Sequence, residues 1–260
     1  MLTINNLSFG YSDQNLILNN FNFKIKKGEH LCVMGESGCG KTTTARAILH
    51  LIKPTSGDIF FDYYDETLQQ SSVINLPKIP DKVMKQVRKK AQMIFQDPYS
   101  SLNPRFKVRD IIAEPIKFFQ KNISNNELLQ NVYDLIDIVG MTRQSLDRYP
   151  HEFSGGQRQI ISIARALATR PRLLICDEPT SALDLSIQSQ IIDLLKKLQK
   201  ENNLGYIFIS HDLRVIQSLA HQLIVLKNGK IVESGSSDQI FKKPKQKYTK
   251  ELISAAFEIK

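Results

Sequence analysis

The nine residues from Gly35 to Thr43, GESGCGKTT, limit what this chain can fold into more than any other stretch. They match the pattern G-x-x-x-x-G-K-[ST], and they lie between an apolar run typical of a strand and apolar residues at helical spacing. In such a loop the backbone N–H groups point inward, and the N-terminus of the following helix adds partial positive charge. The sequence therefore predicts a nucleotide phosphate site, and a plain glycine-rich turn before a helix is the disfavoured alternative.

The side chains of this loop have separate expected tasks. Lys41 can reach the β- and γ-phosphates of a nucleotide, and the Thr42 hydroxyl can ligate Mg²⁺. The glycines let the backbone curl around the phosphates. The residues expected to bind the nucleotide here are Gly35, Glu36, Ser37, Gly38, Cys39, Gly40, Lys41, Thr42 and Thr43.

Composition narrows the class of protein. With 260 residues and 42% hydrophobic content, the chain can bury a full core. No apolar run approaches the ~20 residues that a bilayer span needs, and the chain opens without a signal peptide, so we expect a soluble cytoplasmic protein. The net charge of +9 suits nucleic acid, an anionic membrane surface or nucleotide phosphates. Because this charge is spread thinly along the sequence, a solvated surface is the favoured interpretation.

A second group of candidate residues follows predicted strands. The apolar strand Leu173–Cys176 ends in Asp177 and Glu178, and a carboxylate at the tip of a buried parallel strand can hold Mg²⁺ through water. The adjacent Glu178 can accept a hydrogen bond from the attacking water. His211, just past the strand Tyr206–Ser210, is placed to touch a γ-phosphate. An ion pair for the two acids and a structural role for the histidine are the alternatives.

A second glycine-bearing helix start lies at Ser154–Gln157, with the sequence SGGQ. Ser154 and Gln157 have the spacing of a capping box, and apolar residues at helical spacing follow. Such an end can present N–H groups and a hydroxyl to an anion, while an ordinary capped helix explains the residues equally well. One nucleotide site does not need two such ends, but a dimer does if each subunit caps the nucleotide of the other.

Elsewhere the pattern predicts structure rather than chemistry. Asp62–Lys82 is polar and without clear periodicity, which indicates a surface excursion without function. Lys89–Phe95 is predicted to be a strand, and a turn-rich segment follows it from Gln96 to Pro104. The apolar period is then helical up to about Phe153, which indicates an inserted subdomain. The lysine-rich stretch from Ser236 predicts a surface tail with a short helix from Glu251 to Phe257.

Two predicted turns complete the pattern. Gly10-Tyr11-Ser12-Asp13 places an aromatic side chain where it can stack on an adenine ring, although a loop tyrosine is the ordinary explanation. Asn228-Gly229 lies between two strand-like runs and predicts a type I′ hairpin.

Together these residues resemble the ATP-binding subunit of an ABC transporter over essentially the whole chain. The motifs of that family occur here in its order: an aromatic residue, a phosphate loop, a Q-loop, a signature, a strand ending in two acids, a SALD loop and a switch histidine. The corresponding positions are Tyr11, Gly35–Thr43, Gln96, Ser154–Gln157, Asp177 with Glu178, Ser181–Asp184, and His211.

The resemblance implies an α/β fold: a P-loop NTPase (RecA-like) core with an N-terminal antiparallel β subdomain and an inserted α-helical subdomain. The expected boundaries are 1–96 and 154–235 for the ATP-binding core, 97–153 for the helical subdomain and 236–260 for a C-terminal tail.

The resemblance also implies an ATPase that uses ATP and Mg²⁺. Glu178, His211 and Gln96 would be catalytic. Thr42, Gln96 and Asp177 would hold Mg²⁺, Asp177 through a water. Two subunits would sandwich two ATP molecules, with the signature of one facing the phosphate loop of the other. The further nucleotide-binding residues would be Tyr11, Ser154, Gly155, Gly156, Gln157 and Asp184.

Partners follow from the same resemblance. We expect transmembrane permease subunits, a second homologous ATPase subunit and, through the complex, an extracellular or periplasmic substrate-binding protein. No nucleic acid is expected. The subunit would lie peripherally on the cytoplasmic face of the cell membrane, with its helical subdomain docked on the permease.

A narrower likeness lies in QDPYSSLNPR and KKPKQKYTKELISA, which are similar to the ATPases of oligopeptide, dipeptide and nickel importers, in particular the second, shorter ATPase of the pair. This implies import of peptides, or of nickel or metal chelates. A non-transport ABC ATPase acting on nucleic acid or the ribosome is the alternative. It is disfavoured because the chain has one cassette, no sustained heptads and no cysteine pairs.

Overall fold

Two β-sheets and ten α-helices make up most of the part of the chain that the structure describes. A computed structural model describes residues 1–12, 15–65, 70–181 and 183–257. The strands are β1 (Leu2–Ser12), β2 (Asn15–Ile25), β3 (His30–Met34), β4 (Ser56–Asp65), β5 (Gln70–Asn75), β6 (Ala91–Ile94), β7 (Leu173–Asp177), β8 (Gly205–Ile209), β9 (Gln222–Lys227) and β10 (Lys230–Ser236). The α-helices are α1 (Lys41–Ile48), α2 (Asp81–Lys90), α3 (Pro98–Ser101), α4 (Val108–Phe119), α5 (Asn125–Ile138), α6 (Gly155–Leu167), α7 (Leu185–Asn202), α8 (Leu213–Leu219), α9 (Ser237–Lys242) and α10 (Lys247–Phe257).

The first sheet is antiparallel, with the strand order β2-β1-β4-β5. Its strands follow the alternation of their residues. In β2, Phe21 and Ile25 are buried while Asn22 and Lys24 are exposed, as in a strand with one face on a core and one face in solvent. This sheet therefore contributes one face to the interior.

The second sheet has the order β10-β9-β3-β8-β7-β6 and is parallel except for β10. Strands β3, β7 and β8 are buried along their whole length, which their continuous apolar runs predict for parallel strands covered on both faces. The edge strand β10 returns through Asn228 and Gly229, whose φ values of 47° and 71° are both positive. A type I′ turn requires this, so the predicted hairpin is confirmed.

The parallel sheet separates two hydrophobic cores. Leu31 and Val33 of β3 lie in a core shared with the antiparallel sheet and α1. Cys32 and Met34, which alternate with them, lie in a second core shared with α4, α5 and α6. The sheet is therefore covered on both faces, and the carboxyl ends of β3, β7 and β8 meet at one edge, where ligands gather in such folds.

Helices α3 to α5 lie between β6 and α6 in the chain, within the range 97–153 assigned to a helical subdomain. Ile112, Val132 and Ile161, on α4, α5 and α6, share one core. The turn-rich segment after Gln96 contains the short helix α3, which the sequence did not predict. Pro98 is tolerated there because a residue in the first helical turn needs no N–H partner.

The stretch from Asp62 to Lys82, predicted to be a surface excursion, contains an ordered hairpin. β4 continues to Asp65, and β5 pairs with it antiparallel. Most of β5 is exposed, so its alternation is weak in the sequence. The predicted strand from Lys89 is also corrected, because α2 extends to Lys90 with only Met84 and Val87 buried in it. That stripe is too narrow to recognise among the charged residues of the helix.

The predicted surface tail is a pair of helices that pack on the core. Helix α10 begins at Lys247, four residues before the predicted start, and Tyr248 and Thr249 within it are buried. The backbone N–H groups of Lys245 and Gln246 donate to the carboxylate of Glu233 at 2.9 and 3.1 Å. These bonds fix the turn before α10 to β10.

The helices are short and amphipathic. The longest α-helix among the described residues, α7, has 18 residues and carries charged side chains from Asp193 to Glu201. Within the described ranges, no helix combines the length and the apolar character needed to cross a bilayer.

Candidate active site

The predicted phosphate loop connects the end of β3 to the start of α1. Two of its glycines are required by close approach. A Cβ on Gly35 would lie 2.2 Å from the carbonyl oxygen of Leu226, and one on Gly40 would lie 3.1 Å from that of Ile17. Gly40 also has a φ of 106°, in the left-handed region. The loop is therefore held closely between β9 and β2.

Lys41 closes this loop from inside. Its side chain is buried, and its Nζ donates to the carbonyl oxygens of Gly35 and Glu36 at 2.8 and 2.9 Å. An ammonium group has three donors, so one remains beyond these two bonds. A buried cation inside a loop of backbone N–H groups is suited to bind phosphate.

Thr42 and Asp177 meet at the other side of the loop. The Thr42 hydroxyl donates to Asp177 Oδ1 at 3.0 Å, and Asp177, at the tip of β7, is 3% exposed. Burial raises the pKa of the Asp177 carboxyl above its ordinary value, and the hydrogen bond from Thr42 opposes that rise. Hydroxyl and carboxylate oxygens are the ligands that Mg²⁺ prefers, so the residues present fit this ion.

Three predicted catalytic residues converge on one carboxylate oxygen. Gln96 Nε2 donates to Glu178 Oε2 at 3.2 Å, and His211 Nδ1 lies 3.3 Å from the same oxygen. Glu178 follows Asp177 with a φ of 45°, which is unusual for a residue other than glycine, asparagine or aspartate. Backbone strain of this kind clusters at functional sites.

This arrangement can activate water. A carboxylate that is oriented by an amide and an imidazole can accept a proton from a water molecule beside it. Since Glu178 follows Asp177 directly, the base and the candidate Mg²⁺ ligand leave the same strand end together. The geometry therefore brings residues suited to phosphate binding, metal binding and proton acceptance to one sheet edge.

The other predicted loop residues lie where the motif places them. Cys39 is buried, and its carbonyl oxygen accepts from the N–H of Gly229 at 3.0 Å. Ser37 and Gly38 are exposed, and Thr43 is half-buried in the first turn of α1. The backbone of Tyr11 belongs to β1, so the turn predicted there is strand up to Ser12. The side chain of Tyr11, predicted to stack on an adenine ring, lies outside the described residues.

The signature Ser154–Gln157 forms the capped end of α6. The capping box is confirmed: Ser154 N–H donates to Gln157 Oε1 at 3.1 Å, and Gln157 N–H donates to Ser154 Oγ at 3.3 Å. A Cβ on Gly156 would lie 2.2 Å from Cγ2 of Ile187, so α7 packs directly on this glycine. In the described part of the chain, no hydrogen bond joins the signature to the phosphate loop.

Asp184 starts the neighbouring helix α7. Its Oδ1 accepts from the N–H of Ile187 at 2.9 Å and from the hydroxyl of Ser186 at 2.6 Å. The carboxylate is therefore a helix cap, and it holds α7, on which the signature end rests, in position.

Two tyrosines near the site, Tyr248 and Tyr99, are not among the residues predicted to form it. The hydroxyl of Tyr248 accepts from the N–H of Glu36 at 3.4 Å. The Tyr99 ring lies 3.9 Å from the guanidinium carbon of Arg158, the residue after the signature. The only sequence signal for either is that both tyrosines belong to the two stretches QDPYSSLNPR and KKPKQKYTKELISA.

A groove of about 430 Å³ lies between β6 and α4, with mainly apolar side chains and the charged Arg88, Glu114 and Arg165 in its lining. Leu51, Phe95 and Phe118 line it and are exposed by 46%, 36% and 54%. Phe95 directly precedes Gln96, so the lining of the groove ends one residue before the side chain that donates to Glu178. The three exposed side chains form an apolar patch on the surface of the protein.

Comparison with known proteins agrees with this geometry. The sequence pattern of the family described as ABC transporter matches residues 18–181. The chain is 45% identical over 238 residues to the oligopeptide transport ATP-binding protein OppF of Bacillus subtilis, covering 92% of this chain and 75% of that one. It is 47% identical over 246 residues to OppF of Streptococcus mutans, covering 95% and 77%.

The fold is also similar to solved structures. A dimeric ATP-binding cassette in a post-hydrolysis state, bound to ADP and Pi, superposes with a TM-score of 0.79 at 28% identity, covering 91% of this chain and 99% of that one.

Proposed function

The chain belongs to the ABC transporter family of ATP-binding cassettes, and from this premise we propose that it hydrolyses ATP to drive import of peptides through separate membrane subunits. The similar proteins from Bacillus subtilis and Streptococcus mutans are named for oligopeptide transport, which favours peptides over nickel or metal chelates as cargo.

One observation carries the assignment of the chemistry. Gln96, Glu178 and His211 come from three separate strand ends, and they meet within hydrogen-bonding distance on Glu178 Oε2. A purely structural ion pair would not need an amide and an imidazole on the same carboxylate oxygen. Glu178 is therefore the proposed base for the attacking water, with Gln96 and His211 orienting it.

The phosphate loop supplies binding rather than proton transfer. Lys41 would place its remaining N–H on the phosphate oxygens, and the backbone of the loop would surround them. Thr42, Gln96 and, through a water, Asp177 would hold Mg²⁺. When bound, Mg²⁺ neutralises charge that develops on the phosphate oxygens.

The signature would act on the ATP of a second cassette. Its hydrogen bonds stay within its own turn, and the similar solved cassette is dimeric. Ser154 and Gly156 would then face the phosphate loop of the partner. The likeness to the shorter ATPase of an importer pair favours a different, homologous chain as that partner.

The groove beside Gln96 would receive a short segment of a membrane permease subunit. Leu51, Phe95 and Phe118 give it an apolar surface of the size that a few side chains fill. An occupant would press next to Gln96, which touches the base Glu178. This proposal places the chain on the cytoplasmic face of the membrane, with a substrate-binding protein reached only through the complex.

The test replaces the gene in its host by a Glu178→Gln variant. An amide is a poor proton acceptor, and such losses are typically ~10²- to 10⁴-fold in rate. We expect the purified complex to bind ATP, to hydrolyse it that much more slowly and to accumulate as an ATP-bound dimer. Uptake of a labelled oligopeptide should fall to background while uptake of nickel stays unchanged.

Glu201→Gln, at the exposed end of α7, is the matched control and should change neither quantity. Near-normal hydrolysis in Glu178→Gln would refute the role of Glu178. Unchanged peptide uptake after loss of hydrolysis would refute peptides as the cargo.

A further inference from the structure

The tail of the chain touches the phosphate loop. Tyr248, in the first turn of α10, is 8% exposed, and its hydroxyl oxygen accepts from the N–H of Glu36 at 3.4 Å. Burial raises the pKa of Tyr248 above its ordinary value, so the phenol stays neutral. A neutral phenol oxygen can accept from an N–H group and still donate its own proton elsewhere.

This contact lies on a peptide unit that also holds Lys41. The Glu36 N–H and the Gly35 carbonyl are the two ends of one planar peptide group. The Gly35 carbonyl oxygen accepts from Lys41 Nζ at 2.8 Å. The same peptide unit is therefore bonded to the tail at one end and to the phosphate-binding cation at the other. Hydrogen bonds in such a chain strengthen one another.

Tyr248 is itself held from two sides. The Nζ of Lys227, at the end of β9, lies 4.2 Å from the centre of its ring. Glu233 fixes the turn just before α10 through the N–H groups of Lys245 and Gln246. Thr249, the next residue, is fully buried. The hydroxyl of Tyr248 is thus presented to the phosphate loop by a well-anchored helix start.

We propose that Tyr248 is a positioning residue for Lys41. By accepting from Glu36 N–H, its hydroxyl fixes the plane of the Gly35–Glu36 peptide and keeps the Gly35 carbonyl on the lysine ammonium. Rotation of that peptide would remove one of the two carbonyls that aim Lys41. This inference rests on the proposed ATP binding and extends it to a residue outside the phosphate-loop motif.

The test compares Tyr248→Phe with Tyr133→Phe in the full chain. Phenylalanine keeps the buried ring and removes only the hydroxyl. Tyr133 is a matched control because its ring also lies against a cation, Arg143, but in the helical subdomain rather than at the phosphate loop. The dissociation constant for MgATP should rise about two- to tenfold in Tyr248→Phe, which is what loss of one hydrogen bond gives. The control should leave this constant unchanged.

Two further readouts separate positioning from general stability. Amide hydrogen exchange should become faster in the fragment covering residues 35–41 of Tyr248→Phe. In the reconstituted complex, the KM for ATP should rise while kcat at saturating ATP is unchanged.

An unaltered MgATP dissociation constant in Tyr248→Phe, with or without a lower unfolding temperature, would overturn the proposal. If the unaltered chain itself fails to bind MgATP, the proposed function fails instead, so the two failures are distinguishable.

Discussion

Helices α1 and α6 both have glycine at the N-terminus, but their N-caps differ. At α1 the N-cap is Gly40, with a φ of 106° and no side-chain cap among the described residues, and the first helical residue, Lys41, is buried. At α6 the N-cap is Ser154, which exchanges two hydrogen bonds with Gln157, and both residues are exposed.

The difference lies in which of the first N–H groups already have a partner within the chain. The first N–H groups of a helix need partners from outside it. At α1 the loop and its lysine surround the site where phosphates would supply them. At α6 the capping box satisfies two N–H groups, and those of Gly155 and Gly156 have no acceptor among the described residues. The two remaining N–H groups at the α6 end are consistent with the proposed action on the nucleotide of a second cassette.

The largest loss of MgATP affinity is expected from a substitution at the start of α1. Lys41→Ala removes the buried cation from the loop, and one hydrogen bond to a charged group contributes about 1.5–3 kcal/mol, or about ten- to 150-fold in affinity. We expect MgATP affinity to fall by at least that factor in equilibrium dialysis. Thermal unfolding should still show a folded protein.

Ser154→Arg, at the exposed end of α6, is the counterpart. In the isolated chain it should leave MgATP affinity unchanged, because the signature has no hydrogen bond to the chain's own loop among the described residues. Unchanged affinity in Lys41→Ala would show that the site assignment is wrong. Equal losses in both variants would show that the two helix ends serve one site within the chain.

A smaller effect concerns the glycines. Gly40 is needed for its backbone conformation, whereas Gly156 is needed because α7 leaves no room beside it. Gly156→Ala would overlap Ile187, and overpacking of this kind costs about 1–3 kcal/mol. Denaturant unfolding should show this loss of unfolding free energy.

Gly155→Ala provides the matched control, since its Cβ would meet Leu183 at an ordinary 3.7 Å. Its unfolding free energy should stay close to that of the unaltered chain. Equal stability of the two variants would mean that α7 shifts without cost, and that the signature end is not fixed by Ile187.

The smallest effect is expected in a crosslinking experiment, which tests directly whether the signature end of α6 acts on the other subunit. Mix this chain carrying Ser154→Arg with the partner cassette carrying its phosphate-loop lysine changed to alanine. If the signature acts on the other subunit, both lesions fall on one composite site. Nucleotide crosslinking should then label this chain normally and the partner poorly. Similar damage to both chains would rule out action between subunits.

Sequence alone predicted the parts of the site that depend on local spacing. The residues from Gly35 to Thr43, the acids at the end of β7 and the capping box at Ser154 are each set within a few neighbouring residues. Their spacing can therefore be recognised in the sequence without knowledge of the rest of the fold.

Contacts across long sequence distances were not predictable in the same way. The bond from Glu36 to Tyr248 spans 212 residues, and nothing in the local pattern of a lysine-rich tail indicates a buried tyrosine. The β4–β5 hairpin was missed because an exposed edge strand lacks alternation, and α2 because only two of its residues are buried. In both, the tertiary environment decides the structure.

The alternation of β3 side chains between the two cores bears on how the protein unfolds. Successive residues of this one strand serve two different cores, Leu31 and Val33 one, Cys32 and Met34 the other. Loss of order in one core would remove the packing of every second side chain of β3, so we expect the two cores to unfold cooperatively. The phosphate loop begins where β3 ends. A ligand that binds only the folded protein at this loop would then stabilise both cores, by about 2.7 kcal/mol at a concentration of 100 times Kd.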